Sequence, residues 1–162
     1  MSKVFGIGFG LAALVIIAVV WTGFVDTKGN HLAPSGWISN VRVQSLTDEM
    51  TLMVIDFGIL NDADVQMVVA TIDPLITTRT GQDIHGTLFA GADMAKTFAF
   101  YPALGPMVHP PLLPRGTIDG HKTVNVMVGV EFDVPAKVVE SRKSVTLRIE
   151  DVTGPFVELI AK

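Results

Sequence analysis

Cysteine is absent from this chain of 162 residues, and charged residues are scarce. The lack of cysteine excludes disulfides, thiolate metal sites, a cysteine nucleophile and a lipidated cysteine anchor. Charged residues make up 17% of the chain, whereas globular proteins usually contain about a quarter. Acidic residues outnumber basic ones by 16 to 12, which gives a formal net charge of −4. Because nucleic-acid-binding proteins normally carry a basic excess, this balance excludes nucleic acid as the expected partner.

Charge is missing altogether from one long segment, residues 4–25. As a helix, this apolar segment would be about 33 Å long, enough to cross a hydrocarbon core of about 30 Å. We therefore predict an N-terminal transmembrane anchor at residues 1–25, with membrane lipid around it. Residues 26–37 contain glycine, proline and polar residues, and they are predicted to form a tether. The remaining residues, 38–162, are predicted to form one extracytoplasmic domain.

Three other interpretations of residues 4–25 fit the sequence less well. A cleaved signal peptide would have a shorter apolar region and a small-residue cleavage site, and no clear site follows this run. A dinucleotide-binding loop would need a small residue at the position of Leu11 and a strand before its glycines. A buried core helix of a soluble domain rarely lacks polar residues over about six turns.

The few charges around the predicted span indicate its orientation. Lys3 precedes the span, and Asp26 and Lys28 follow it. The positive-inside rule favours a cytoplasmic N-terminus and a domain outside the cytoplasmic membrane. Small residues repeat every four positions in the span, which permits close approach of another membrane helix, although glycine is common in membrane spans in general. The residues predicted to form this helix contact are Gly6, Gly8, Gly10 and Ala12.

Beyond the tether, the hydrophobic pattern changes to the period of two that is typical of half-buried β-strands. The alternation is clearest over residues 123–134. The nearly continuous apolar run at residues 50–60 predicts a central strand that is buried on both faces. Strands with turn residues between them predict an all-β fold, an antiparallel β-sandwich. The predicted strands are residues 41–44, 50–60, 65–72, 84–89, 123–134, 145–150 and 156–160.

Two neighbouring segments depart from the strand pattern. Residues 91–101 fit either a short helix, which Asp93 would cap, or a strand, which their aromatic residues favour. Residues 101–114 contain five prolines, which no central strand tolerates, so they are predicted to form a stiff, extended loop. Its apolar side chains either dock onto a partner or the membrane interface, or fold back over an open end of the sandwich. The predicted docking residues are Tyr101, Leu104, Met107, Val108, Leu112 and Leu113.

Three short motifs lie at strand ends in the predicted domain. Leu60-Asn61 precedes a turn, and Leu-Pro-Arg-Gly at residues 113–116 precedes the strand that ends in Phe-Asp-Val-Pro at residues 132–135. Asp-Val-Thr-Gly at residues 151–154 precedes the last strand. In these features, residues 38–160 resemble the membrane-anchored immunoglobulin-like domains of bacterial envelope proteins. The resemblance implies an immunoglobulin-like β-sandwich and an interaction or accessory role. The proline-rich loop and the lack of a lipidated cysteine depart from the commoner pattern.

One acidic side chain stands inside an apolar strand. The carboxylate of Asp56 must be paired there, because burial of an unpaired charge is costly. We expect a structural ion pair, and the alternative is a calcium site shared with Asp62 and Asp64, which lack the remaining spacing of a calcium loop. The basic partners considered for the ion pair are Arg42, Arg79 and Arg148.

The histidines offer little sign of metal chemistry. His85 follows Asp83 by two residues, and His121 follows Asp119 by two, so each pair would share one face of a strand. A metal site at either pair is conceivable, but ordinary surface residues are expected. Nucleophile and phosphate-binding motifs are absent. We therefore predict a non-enzymatic protein with no catalytic, cofactor-binding or metal-binding residues.

These observations predict a single-span membrane protein that serves as an accessory or assembly subunit of a larger membrane complex, for instance an energy-transducing one. The glycine face of the span and the proline-stiffened loop would both contact other membrane-protein subunits. A stand-alone ligand-binding or sensor module of the envelope is one alternative. A hydrolase with an unrecognised site is another.

The anchor prediction can be tested by N-terminal sequencing of protein extracted from membranes. Because residues 4–25 are too long for a typical signal peptide and lack a clear cleavage site, the sequence should begin at or near Met1. A mature protein that begins near Asp26 would contradict the anchor.

Overall fold

The structure of the protein, a computed structural model, describes residues 34–89 and 91–162. The predicted anchor, with its four small residues, lies outside the described residues, as does most of the predicted tether. Among the described residues, no helix is long and apolar enough to cross a membrane.

Strands account for most of the ordered elements in the part of the chain that the structure describes. Nine strands, two α-helices and one 3₁₀ helix occur there, and the expectation of an all-β fold is confirmed. In chain order, the elements are β1 (Ser35–Ser45), β2 (Thr51–Asn61), β3 (Met67–Thr77), β4 (Asp83–His85), β5 (Thr87–Leu88), α1 (Gly91–Phe100), the 3₁₀ helix (Pro102–Leu104), β6 (Thr117–Ile118), β7 (Lys122–Phe132), α2 (Ala136–Glu140), β8 (Ser144–Asp151) and β9 (Phe156–Ala161).

The strands form two antiparallel sheets that enclose one hydrophobic core. The first sheet has the order β1-β2-β7-β5, and the second has the order β4-β3-β8-β9, with β6 paired to the start of β3. Alternate side chains from both sheets meet between them, which defines a β-sandwich. Fully buried members of this core include Met53, Ile55, Phe57, Ile76, Val130, Phe132 and Leu147.

The second strand is buried on both faces, as its continuous apolar sequence predicted. Its inward side chains belong to the core between the sheets. On its outer face, Leu52 and Val54 pack in a second, smaller cluster with Met94, Phe98 and Leu104. A helical layer therefore covers part of the outer face of the first sheet, and it explains why β2 lacks the period of two.

The segment at residues 91–101, whose aromatic residues favoured a strand over a short helix, forms the helix α1. Met94 and Phe98, four residues apart, share its buried face. Asp93 lies in the first turn, where the helix dipole favours a negative charge. The underlying strand β7 presents Gly129 here, since a Cβ atom at that position would lie 2.5 Å from the Met94 sulfur. The glycine thus allows the helix to approach the sheet closely.

The single strand predicted over residues 84–89 is two strands in different sheets. β4 pairs with β3 in the second sheet, and β5 pairs with β7 in the first. The chain crosses between the sheets at Gly86, whose N–H donates to the Pro74 carbonyl at 2.9 Å. Both halves keep the period of two, so the alternation itself contains no sign of the crossing.

Two of the motifs that suggested the immunoglobulin-like resemblance contain side chains that stabilise turns through hydrogen bonds. The side-chain amide of the buried Asn61 donates to the carbonyl oxygens of Val65, Ile118 and Asp119, at 2.9 to 3.2 Å. This amide joins the turn after β2 to the turn before β7. The Asp151 carboxylate accepts hydrogen bonds from the Val68 N–H and from the Thr153 N–H, both at 2.7 Å. These side chains therefore have structural roles.

The fold can be tested with a chain truncated to residues 30–162, which we expect to be soluble and rich in β-structure without metal or reductant. Val128→Asp and Phe132→Asp should each unfold it, because an unpaired buried charge costs several kcal/mol. Val152→Asp is the matched control, since Val152 is 60% exposed. Circular dichroism and urea titration measure the effect, and a chelator-induced loss of structure would reveal a structural metal instead.

Candidate functional site

The outer face of the first sheet contains a buried ion pair. Arg42 on β1 and Asp56 on β2 lie on adjacent strands, and Arg42 Nη2 contacts both carboxylate oxygens, at 3.0 and 2.8 Å. Only 3% of the Asp56 side chain and 16% of the Arg42 side chain are exposed. This geometry agrees with the expected structural ion pair, and it selects Arg42 from the three arginines considered.

Arg42 also binds the chain that follows α1. Its Nη1 donates to the carbonyl oxygens of Leu104 and Pro106, at 2.8 and 2.9 Å. The guanidinium carbon lies 5.0 Å from the centre of the Phe98 ring on α1. One side chain therefore holds together the sheet, the helix and the start of the proline-rich loop.

The far end of the loop is attached to β7. The Met127 N–H donates to the Pro110 carbonyl at 3.0 Å, and the Leu112 N–H donates to the Met127 carbonyl at 2.8 Å. This is a single parallel bridge at Pro111. It does not lengthen into a strand there. The Pro110 nitrogen, which faces β7, has no hydrogen to donate, and the Gly129 carbonyl of β7 already accepts a hydrogen bond from the Phe89 N–H. The loop thus crosses the outer face of the sheet with both ends held.

The loop divides the six predicted docking residues into two groups. Leu104 and Leu112 are buried, in the outer cluster and in the core respectively, and Tyr101 packs against the outer cluster, edge-on to the Phe100 ring at 4.9 Å. A surface formed by the loop therefore excludes Leu104 and Leu112, because their side chains point into the protein. The exposed members are Met107 (39% exposed), Val108 (58%) and Leu113 (43%).

An exposed tryptophan lies on the same face, and the sequence interpretation missed it by assigning it to the tether. Trp37 is in β1 and is 49% exposed. Its ring lies against Gly58, where a Cβ atom would come within 2.8 Å of three ring atoms. Trp37 is paired with Gly58, and Asn40 is paired with Asp56. Gly58 is the next residue after Asp56 on the outer face of β2, so Trp37 lies at the position next to the ion pair on this face. We call Trp37, Met107 and Val108 the loop surface.

An apolar cavity of about 210 Å³ lies between α1, β5, β7 and the end of the loop. No titratable side chain lines it, so the cavity itself supplies neither an acid, a base nor a metal ligand. The lining residues are Leu88, Phe89, Met94, Pro111, Leu112, Leu113, Pro114, Val128 and Gly129.

Neither His85 nor His121 contacts the aspartate that precedes it by two residues in the sequence. His85 contacts Asp73 at 3.1 Å, not Asp83, and His121 contacts Asp64 at 2.8 Å, not Asp119. The four side chains are between 49% and 77% exposed. Among the described residues, no group of three or more acidic or histidine side chains is arranged to hold a metal ion.

An arginine elsewhere in the domain has a shifted pKa, but it does not line the cavity. Burial lowers the pKa of the Arg142 guanidinium from its ordinary value, and the negative charge of Glu140 opposes that change. Arg142 Nη1 donates to the Val139 carbonyl at 2.9 Å, next to the short helix α2. This arginine has a local structural contact.

Comparison with known proteins leaves the assignment at the level of the fold. No protein-family model matches the chain, and no curated protein matches it. A functionally unknown protein from Listeria monocytogenes EGD-e is 12% identical, with a TM-score of 0.45 over 80% of this chain and 76% of that chain. An uncharacterised β-sandwich protein from Clostridium difficile 630 is 15% identical, with a TM-score of 0.40 over 82% of this chain and 87% of that chain. The protein is a β-sandwich on the basis of its own two sheets and shared core.

The ion pair can be tested by a double-mutant cycle in urea unfolding. Arg42→Met leaves the buried Asp56 carboxylate without its cation and should cost about 3–5 kcal/mol. Asp56→Leu should cost less, because Arg42 keeps two carbonyl acceptors and some exposure. The double variant should be more stable than Arg42→Met alone.

Arg79→Met is the matched control for this cycle, because the Arg79 side chain is exposed and donates only to the Ser141 carbonyl. It should change the free energy of unfolding by no more than about 0.5 kcal/mol. Additive effects of the two ion-pair substitutions would contradict the coupling.

Proposed function

We propose that this protein is a non-enzymatic, single-span protein of the bacterial inner membrane with a periplasmic, immunoglobulin-like domain. Its role is that of an accessory or assembly subunit, which docks onto a larger membrane complex such as an energy-transducing one. The observation that carries the proposal is the loop surface, where apolar side chains are held in the solvent by a loop fixed at both ends.

The loop is suited to binding because its conformation is already restricted. Arg42 holds its start, and the bridge to Met127 holds its end. Its prolines limit the backbone further. A rigid loop loses less conformational entropy when a partner binds, so more of the contact energy remains as affinity.

The composition of the loop surface also favours a protein partner. Aromatic residues and methionine are enriched at protein–protein interfaces, and Trp37 and Met107 supply one of each. Val108 adds exposed apolar area on the loop. When a partner covers residues of this kind, the free energy falls, because apolar surface is removed from water.

The predicted span would supply a second contact. Gly6 and Gly10 permit a neighbouring membrane helix to approach closely. Two weak contacts that act together bind more tightly than either alone, because the second becomes intramolecular. The predicted tether, whose last three residues belong to β1, is short enough to keep the domain near the membrane that would hold the span.

The order of the strands supports the immunoglobulin-like assignment. Constant-type immunoglobulin domains place strands A, B, E and D in one sheet and C, F and G in the other. The order β1-β2-β7-β5 and the order β3-β8-β9 fit this pattern, with β4 as an added edge strand. Domains of this architecture commonly serve in recognition at cell surfaces.

A second candidate function is a ligand-binding or sensor module, which the apolar cavity favours. Its volume of about 210 Å³ is below the range of about 300–1,000 Å³ that is usual for small-molecule sites. The third candidate, a hydrolase, would require convergent titratable groups, which do not line this cavity. The accessory role therefore ranks first.

The proposal can be tested by isolating the full-length protein from native membranes under mild conditions. A stoichiometric set of membrane proteins should co-purify with it. Met107→Ser/Val108→Ser should reduce that set several-fold and leave thermal unfolding nearly unchanged, since both side chains are exposed. Val152→Ser, an equally exposed valine at the turn before β9, is the matched control and should keep the full set.

The span contact is tested separately by Gly6→Leu/Gly10→Leu, which should also reduce co-purification, because leucine prevents close helix approach. A lone monomer would favour the sensor module instead. Full retention of partners by both double variants would remove the support for an accessory subunit. A loop variant that melts far below the wild type would show that the loop only covers the core.

A further inference from the structure

We propose that the outer face of the second sheet is a self-complementary surface through which two copies of this chain associate. This surface, here called the paired face, does not include the loop surface or the cavity. Its members are Thr71, Asp73 and Leu75 on β3, Thr146, Arg148 and Glu150 on β8, and Phe156, Glu158 and Ile160 on β9.

The paired face is open to solvent. Its side chains on β3, β8 and β9 are all partly or fully exposed, including the apolar Phe156 (42%) and Ile160 (61%). The outer face of the first sheet, in contrast, has α1 and the proline-rich loop against it.

The strand register arranges the paired face in rows. Asp73, Arg148 and Glu158 form the central row across β3, β8 and β9. Leu75, Thr146 and Ile160 form the row on one side of it, and the row on the other side consists of Thr71, Glu150 and Phe156.

Contacts within the chain hold the charges of this face in place. The guanidinium of Arg148 lies 3.8 Å above the centre of the Phe156 ring, and its Nη1 is 3.6 Å from Glu158 Oε1. His85, from β4, contacts Asp73 at 3.1 Å. The central charges are therefore partly oriented before any partner binds, which lowers the entropy lost on association.

A twofold axis parallel to the strands and midway between β3 and β8 makes this pattern complementary to itself. Rotation about that axis exchanges the two strands, so Asp73 of one copy faces Arg148 of the other. Leu75 then faces Thr146, and the carboxylate of Glu150 faces the hydroxyl of Thr71. An interface of this kind is isologous, as in most homodimers.

The other in-plane twofold axis is unfavourable. An axis along the central row would place Asp73 against Asp73 and Arg148 against Arg148, and like charges in contact oppose association. The charges therefore favour an axis parallel to the strands. The axis between β3 and β8 is central in the sheet order β4-β3-β8-β9, so it brings the most strands into contact. The selected axis also leaves β1 of both copies starting at the same end of the pair, as two chains in one membrane require.

The alternating charges favour a second copy over partners of one sign. A nucleic acid or an anionic lipid surface would attract Arg148 and repel Asp73 and Glu158 in the same row. The face lies on regular strands, whereas small ligands prefer concave sites.

The size of the paired face indicates a weak dimer. With four strands about 4.8 Å apart and a rise of about 3.3 Å for each of the eight residues of β8, the whole outer face of the second sheet measures roughly 20 by 25 Å, and the paired face is part of it. The total area buried by two copies is then at most about 1,000 Å², below the usual size of stable specific interfaces. We expect association that depends on protein concentration and weakens at high salt, because its central pair is charged and partly exposed.

The test uses cross-linking of the full-length chain in native membranes. Because the chain has no cysteine, Thr146→Cys introduces a single thiol on the paired face. With sheets about 10 Å apart and strands about 4.8 Å apart, the two Cα atoms at position 146 of a dimer would lie about 11 Å apart and the thiols closer, within reach of a short bismaleimide. Thr123→Cys, on the first sheet, is the matched control and should give no cross-linked dimer.

Charge substitutions in the Thr146→Cys background identify the contact. Asp73→Arg and Arg148→Asp should each reduce the cross-linked dimer at least tenfold, because each places like charges across the axis. The combined variant Asp73→Arg/Arg148→Asp should restore it, since the exchanged charges again face their opposites. Thermal unfolding of each variant checks that the fold is kept.

The proposal is overturned if Thr146→Cys gives no more dimer than Thr123→Cys. It is also overturned if the single charge variants keep the full yield, or if the folded double variant fails to recover it. A dimer formed by the predicted span alone would be insensitive to all three charge variants, so it is distinguished from the paired face.

Discussion

The position of Asp56 within an apolar strand constrains the whole outer face of the first sheet. A carboxylate that is almost fully buried needs a cation, and Arg42 supplies it from the adjacent strand. The guanidinium has more N–H donors than the carboxylate uses, and its Nη1 donates hydrogen bonds to the carbonyl oxygens of Leu104 and Pro106. These bonds hold the chain that follows α1 against the sheet. The ion pair and the apolar packing of the outer cluster therefore position the helical layer together.

The two sheets consequently expose different outer faces. The first is covered in part by α1 and by a loop that Arg42 and Met127 hold at its ends. That loop pairs with β7 at a single bridge, and Met107 and Val108 in its middle are exposed and apolar. The second has its charges in regular rows. One sandwich thus combines the apolar loop surface with the charged paired face, and these surfaces suit different partners.

Much of this fold could be predicted because strands with one buried face follow a local period of two. The strand expected over residues 123–134 is β7 (Lys122–Phe132), and the one over residues 145–150 lies within β8. The apolar run of β2 correctly indicated two buried faces. Its cover was not predictable, because α1 contains both a helical spacing and strand-favouring aromatics. The crossing at Gly86 was missed, since a change of sheet leaves the alternation intact.

The surface residues were harder to predict, because their roles depend on which strands are neighbours. The loop has no period, so its sequence did not separate the buried Leu104 from the exposed Val108. Three arginines fitted Asp56 equally well until the pairing of β1 with β2 selected one. The central row of the paired face shows the same dependence. Asp73 and Arg148 are ordinary surface charges far apart in sequence, and only the register of β3 with β8 makes them adjacent and complementary under a twofold axis.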